Sequence, residues 1–123
     1  MSDTGTDCFG LSDSNRAIIQ GILAPFSARL EVVAVFGSRA QGQYRPNSDL
    51  DLALYGNITE TDCDRLWTLF QDSPLPFSVD IIPYNRINHP PLRHHIDLVA
   101  RPLLRHNPDQ GFIYVNENKS LKH

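Results

Sequence analysis

The sequence predicts a small α/β (α+β) domain, a mixed sheet with helices on one face, and three observations carry that reading. Short runs rich in β-formers, Val32-Val33-Ala34-Val35-Phe36, Asp49-Leu50-Asp51-Leu52-Ala53-Leu54 and Phe77-Ser78-Val79-Asp80-Ile81-Ile82, have the length and bounding residues of strands. Stretches with apolar residues at helical spacing lie before, between and after them, which is an α/β order. At 123 residues the chain has material for one core and therefore one domain.

Each element has its own local warrant. Residues 1–11 are small, polar and glycine-containing and read as a flexible leader. Ser12 can cap a helix over Asp13 to Ala24, with Ile18, Ile19, Ile22 and Leu23 on adjacent faces and Pro25 ending it. A strand over Glu31 to Phe36 leads to Gly37 and a short helix from Ser38, and a second strand spans Asp49 to Tyr55. Thr59 and Asp62 have capping-box spacing, and Cys63, Leu66, Trp67 and Phe70 recur at helical period through Ser73, so Trp67 is expected in the core. A third strand runs from Phe77 to Tyr84. Asn88-His89-Pro90-Pro91 opens a last helix whose apolar face is Leu92, Ile96 and Val99, and Pro102 closes it. The domain is expected to span 12–106. The tail, 107–123, is polar except for Phe112-Ile113-Tyr114-Val115, either an extra edge strand or a segment that docks on a partner.

Composition narrows the function. The net charge is −3 with acids and bases interspersed, and no Lys/Arg run could track a nucleic-acid backbone, so no direct nucleic-acid partner is expected. Cys8 and Cys63 are too few for a disulfide scaffold, and no apolar run approaches a membrane span; the plain reading is a reduced, cytoplasmic protein with no membrane contact.

The chemistry is concentrated in Gly37 to Leu52. A strand that stops at Gly37-Ser38 and feeds a helix presents unpaired backbone N–H groups, and the Ser38 hydroxyl adds a donor, a combination that attracts phosphate oxygens. Alternation in the next strand puts Asp49 and Asp51 on one face. Two carboxylates so placed repel each other unless they share a cation, and magnesium suits a site that collects carboxylate and phosphate oxygens together. Asp80 is an odd residue inside an apolar strand, which indicates an edge position or a site that uses its charge.

Gly37-Ser38, ten residues, Asp49-x-Asp51, then Asp80 on a later strand resembles the nucleotidyltransferase superfamily of DNA polymerase beta, and most closely its minimal, MNT-type members, which are commonly antitoxins of HEPN toxins. Val79-Asp80-Ile81-Ile82-Pro83 and Leu92-Arg93-His94-His95-Ile96 extend the likeness, which covers roughly residues 14 to 104. The resemblance implies transfer of AMP from ATP to a hydroxyl, a tyrosine of a HEPN ribonuclease, with pyrophosphate released. It implies two magnesium ions held by Asp49, Asp51 and Asp80, and Asp80 taking the acceptor proton. Gly37 and Ser38 would grip the β- and γ-phosphates, with Arg39 and Arg45 as further candidates for nucleotide binding. The partners so implied are ATP and a HEPN-family toxin, with homo-oligomer and hetero-oligomer both open. Gln41 stands where the family often has a basic residue, and Arg101-Pro102 where a glycine usually follows the last helix.

Blander readings compete residue by residue. Alternating acids and leucines alone describe a solvated sheet face; it is Gly37-Ser38 and Asp80 that turn the balance toward a metal site. Ser38 could be only a helix cap, and Arg39 could as well make a structural bridge as touch phosphate. His89, His94 and His95 diverge in direction on a helix and read as surface residues rather than zinc ligands. Arg101 and His106 match the Arg-x4-His spacing of HEPN ribonucleases, but Pro102 interrupts any helix there. At the level of function a binding-only antitoxin and a small-molecule nucleotidyltransferase stand as alternatives, the latter disfavoured because no second domain is available to form an acceptor pocket.

Overall fold

The computed structural model describes residues 9–109 and 111–114. Helix α1 (Asp13–Leu23) starts at Ser12, whose hydroxyl accepts from the Asn15 N–H at 3.0 Å. Pro25 stops it, and a 3-10 turn over Ala24–Arg29 delivers the chain to β1 (Leu30–Phe36). After the Gly37–Asp49 connection come β2 (Leu50–Gly56) and α2 (Glu60–Gln71). The Thr59–Asp62 capping box is complete, with both reciprocal bonds at 3.1 Å. Arg29 donates to both oxygens of Asp62 at 2.6 and 2.7 Å and so ties the turn before β1 to the start of α2. β3 (Val79–Pro83), α3 (Pro90–Val99), β4 (Arg101–Asn107) and β5 (Gly111–Tyr114) complete the order.

The expected mixed sheet is present, five strands in the order β3-β2-β1-β4-β5. β2 and β3 run parallel and the other neighbours antiparallel. The helices, however, divide between the two faces. Val33, Val35, Leu50, Leu52 and Leu54 pack with Ile19 and Leu23 of α1 and Leu66 and Phe70 of α2. Their alternates Ala34, Phe36 and Ala53 pack on the opposite side with Ile96 of α3 and Ala100 just after it. The central strands are apolar on both sides, so both faces need cover and α3 supplies the second.

Four expectations are corrected here. Residues 9–11 are not a loose leader: Leu11 is buried in the core and Phe9 packs against it. The domain does not stop at 106, because β4 and β5 extend the sheet to Tyr114 and Phe112 is buried; the segment foreseen as a strand or a docking strip is an edge strand, with Val115 outside the described residues. β4 itself was masked by Pro102, read as a helix stop. Pro102 does follow the end of α3, yet it pairs with Ala34 beside a register shift, the kind of irregularity that accommodates a residue without an N–H. Trp67, finally, is 52 % exposed rather than in the core, since Leu66 and Phe70 define the inner face of α2.

Cys63 is a half-buried free thiol, and Cys8 lies outside the described residues. His89, His94 and His95 are exposed. No helix among the described residues is long and apolar enough to cross a membrane.

Candidate active site

The end of β1 sets the geometry. At Gly37 the backbone takes φ +76, which L side chains seldom adopt, and a Cβ there would run into a carboxylate oxygen of Asp51. Glycine is therefore required twice, by the turn and by the acid lying against it. The short helix expected from Ser38 is not formed. Gly37–Gly42 instead makes nested turns: the Gln41 N–H reaches the Gly37 and Ser38 carbonyls, both at 3.2 Å, and the Gln43 N–H reaches Ser38 at 2.9 Å. Gly42, also at φ +76, reverses the chain before a second helical turn can build. These bonds engage the carbonyls of Gly37, Ser38 and Arg39, not their N–H groups.

Parallel pairing of β2 and β3 sets Asp51 in register with Asp80, while on its other side Asp51 pairs with Phe36, the last residue of β1. Alternation puts Asp51 with Ala53, and Asp80 with Ile82, on the face covered by α3. Asp80 is exposed on an edge strand, which is the first of the two explanations offered for an acid there. Asp49 sits on the bend just before β2, exposed, since the strand starts at Leu50. Burial pushes the Asp51 carboxyl up to about 6, and the negative charges of Asp80 and Asp49 push the same way. Among the described residues no three His, Cys, Asp or Glu side chains already converge as a metal cage. The acids form a facing pair with a third on the adjoining bend.

Arg39 has a different role from the nucleotide contact expected of it. It is 1 % exposed, and its guanidinium donates to backbone carbonyls: Phe9 at 2.8 Å, Pro46 at 3.0 Å, and Ser48 at 2.8 and 3.1 Å. Its Cζ lies 4.5 Å from the Phe77 ring centroid and 5.3 Å from that of Tyr44. The side chain thus staples the N-terminal segment and the loop before Asp49 onto the Gly37 turn that carries it. Nothing local in the sequence marks that role, because two of the partners that enclose it, the Phe9 carbonyl and the Phe77 ring, come from 30 residues upstream and 38 downstream. Ser38 is half-buried at the head of the turn, and Arg45 is exposed on the loop, its N–H bonded to the Ser48 hydroxyl at 2.8 Å.

A glycine turn thus lies against a carboxylate that is itself abreast of a second one on a parallel neighbour strand. The chain belongs to the Polymerase beta, Nucleotidyltransferase family, whose profile matches residues 19–109. Among solved structures it is similar to a chain of a crystal structure of a toxin–antitoxin with AMP-PNP, at TM-score 0.60 and 24 % identity over 77 % of both chains. At that identity the likeness is one of fold. A Sulfolobus solfataricus protein assigned to the nucleotidyltransferases aligns at TM-score 0.48 and 19 % identity over 81 % of this chain and 83 % of that one. No curated protein matches the chain.

Proposed function

We propose that this protein is a metal-dependent nucleotidyltransferase acting in the cytoplasm as an antitoxin, moving AMP from ATP to a tyrosine hydroxyl of a cognate HEPN ribonuclease toxin. The observation that carries the transferase reading is Gly37, pressed against the Asp51 carboxylate that stands in register with Asp80. It joins the place for phosphate to the place for acids. The fold shared with a toxin–antitoxin chain crystallised with AMP-PNP supports the antitoxin half.

The donor set fits a hard cation. Asp49, Asp51 and Asp80 offer only carboxylate oxygens, and Asp51 carries a burial-disfavoured charge that a cation would relieve. These three residues would hold magnesium, which when bound neutralises triphosphate charge and favours attack at phosphorus. The Ser38 hydroxyl and the N–H groups of the Gly37 turn bind the β- and γ-phosphates. Arg45, on the open loop, offers charge to the same oxygens, while Arg39 keeps the loop in place. The acceptor oxygen bonds to the α-phosphorus, the bond from that phosphorus to the bridging oxygen breaks, and pyrophosphate leaves with the electron pair. The hydroxyl proton passes to Asp80.

The test is intact mass spectrometry of a HEPN toxin chain incubated with this protein, ATP and magnesium, beside Asp49→Asn. Mass steps of one adenylyl group with the wild type and none with the variant are expected. An unmodified toxin in a stable complex with either form would replace transfer by neutralisation through binding alone.

A further inference from the structure

The N-terminal segment meets the site at Arg39, and its backbone is bent to do so. Phe9 stands at φ +58 and Gly10 at φ +74, two successive left-handed residues, and only glycine adopts that conformation freely. A residue held there against its preference persists because its surroundings over-determine it. We propose that Phe9 and Gly10 are positioning residues of the nucleotide site, a clasp that acts through Arg39 to fix Asp49. The proposal rests on the transferase reading above and adds to it residues that no motif marks.

The path is short. The Phe9 carbonyl accepts from Arg39 Nη1 at 2.8 Å, while Nε and Nη2 of the same guanidinium donate to the Ser48 carbonyl at 3.1 and 2.8 Å. That carbonyl belongs to the planar peptide ending at the Asp49 nitrogen, so its orientation sets the plane from which the Asp49 side chain departs. Asp49 precedes the ladder that holds Asp51 abreast of Asp80, and its placement depends on this connection. Arg39 is buried, so a donor deprived of the Phe9 carbonyl has no water in place to replace it and the guanidinium must shift. Gly10 closes the contact from the other side. A Cβ there would run into the Tyr44 ring and stand 3.0 Å from Nη1, so a side chain must either lift the Phe9 carbonyl off Arg39 or push Tyr44 away from it. Leu11, next in the chain, is buried and anchors the clasp in the core. Phe9 and Gly10 precede residues 19–109, the stretch matched by the family profile, so this brace lies outside it.

The experiment is calorimetric titration of the full chain with AMP-PNP and magnesium, with amide chemical shifts and Tm recorded for each variant. Gly10→Ala should weaken binding about tenfold, the order seen when a group that orients a metal ligand is lost. It should also move the Ser48 and Asp49 amides of the free protein. Gly10→Asn, which tolerates a left-handed backbone but brings the same Cβ, should do likewise, and it carries the test if the alanine variant does not fold. Leu11→Ala is the control: it lowers Tm by opening the core and leaves the Phe9 carbonyl in place, so well below its Tm it should bind AMP-PNP as the wild type does. Wild-type affinity in a folded Gly10 variant would overturn the proposal. So would a loss of affinity in Leu11→Ala equal to that in Gly10→Ala, which would reduce the segment to a contributor to stability alone. Absence of AMP-PNP binding by the wild type would instead defeat the transferase reading, and the proposal with it.

Discussion

Asp51 is kept where its charge destabilises the fold. It lies half-buried between Phe36 and Asp80 with Gly37 against its carboxylate, and its pKa is raised to about 6 from an ordinary value of 3.8. The folded protein therefore holds this proton more tightly than the unfolded chain does. Stability from this group is fully present below about pH 4 and is lost as the pH rises through 6. Allowing for solvent screening of a half-buried carboxylate, the penalty at neutral pH is about 1–2 kcal/mol. Asp51→Asn should therefore raise Tm at pH 7 in a metal-free buffer and leave it nearly unchanged at pH 4. Magnesium should raise the Tm of the wild type at pH 7 and have much less effect on the variant. Calorimetric scans at the two pH values, with and without magnesium, check this, and a variant less stable than the wild type at pH 7 would contradict it.

The connection from Gly37 to Asp49 is the element on which the site depends, and only half of it was legible in the sequence. The glycine, serine and acids could be read because their spacing reflects local demands, a reversal after a strand and alternation within the next one. The conformation between them could not, since it is imposed by a buried guanidinium that joins the nearby Pro46 and Ser48 carbonyls to the distant Phe9 carbonyl and Phe77 ring. An Arg two residues after a glycine reads equally well as a phosphate ligand. The same blindness to distant context put Trp67 in the core, where Leu66 and Phe70 already sufficed. Arg39→Lys separates charge from geometry, because an ammonium cannot reach the three carbonyls in one plane. It should destabilise the fold by about 2–3 kcal/mol in urea unfolding, the order expected for buried acceptors left without donors. Amide exchange should rise first at Tyr44–Ser48. Unchanged stability would show that the loop is held by something other than Arg39.

At the scale of the whole molecule, the sheet is completed from its C-terminal side. β4 lies between β1 and β5, and the site at the end of β1 is braced through it, since Val35 pairs with Arg101 and Ala34 with Pro102. This half of the sheet was the least legible part of the chain. A proline in a strand signals a break to local reasoning, and only the pairing with β1 and the register shift beside Ala34 show how it fits. The β5 strand looks dispensable in sequence, but Phe112 is 5 % exposed and its carbonyl accepts from the Gln20 amide at 3.2 Å, which ties the edge strand to α1. A chain ended at Asn107 should therefore lose more than a peripheral tail. Phe112→Ala alone should destabilise by about 3 kcal/mol through the cavity it leaves. The truncation should exceed that, because it also strips β4 of its outer partner and turns a strand carrying Leu103 and Leu104 into an unprotected edge that invites association. Urea unfolding of both variants, with light scattering on the truncated one, tests the ordering. A truncated chain as stable as Phe112→Ala and monomeric would mean that β5 contributes only its one buried ring, and that the sheet supporting the site ends at β4.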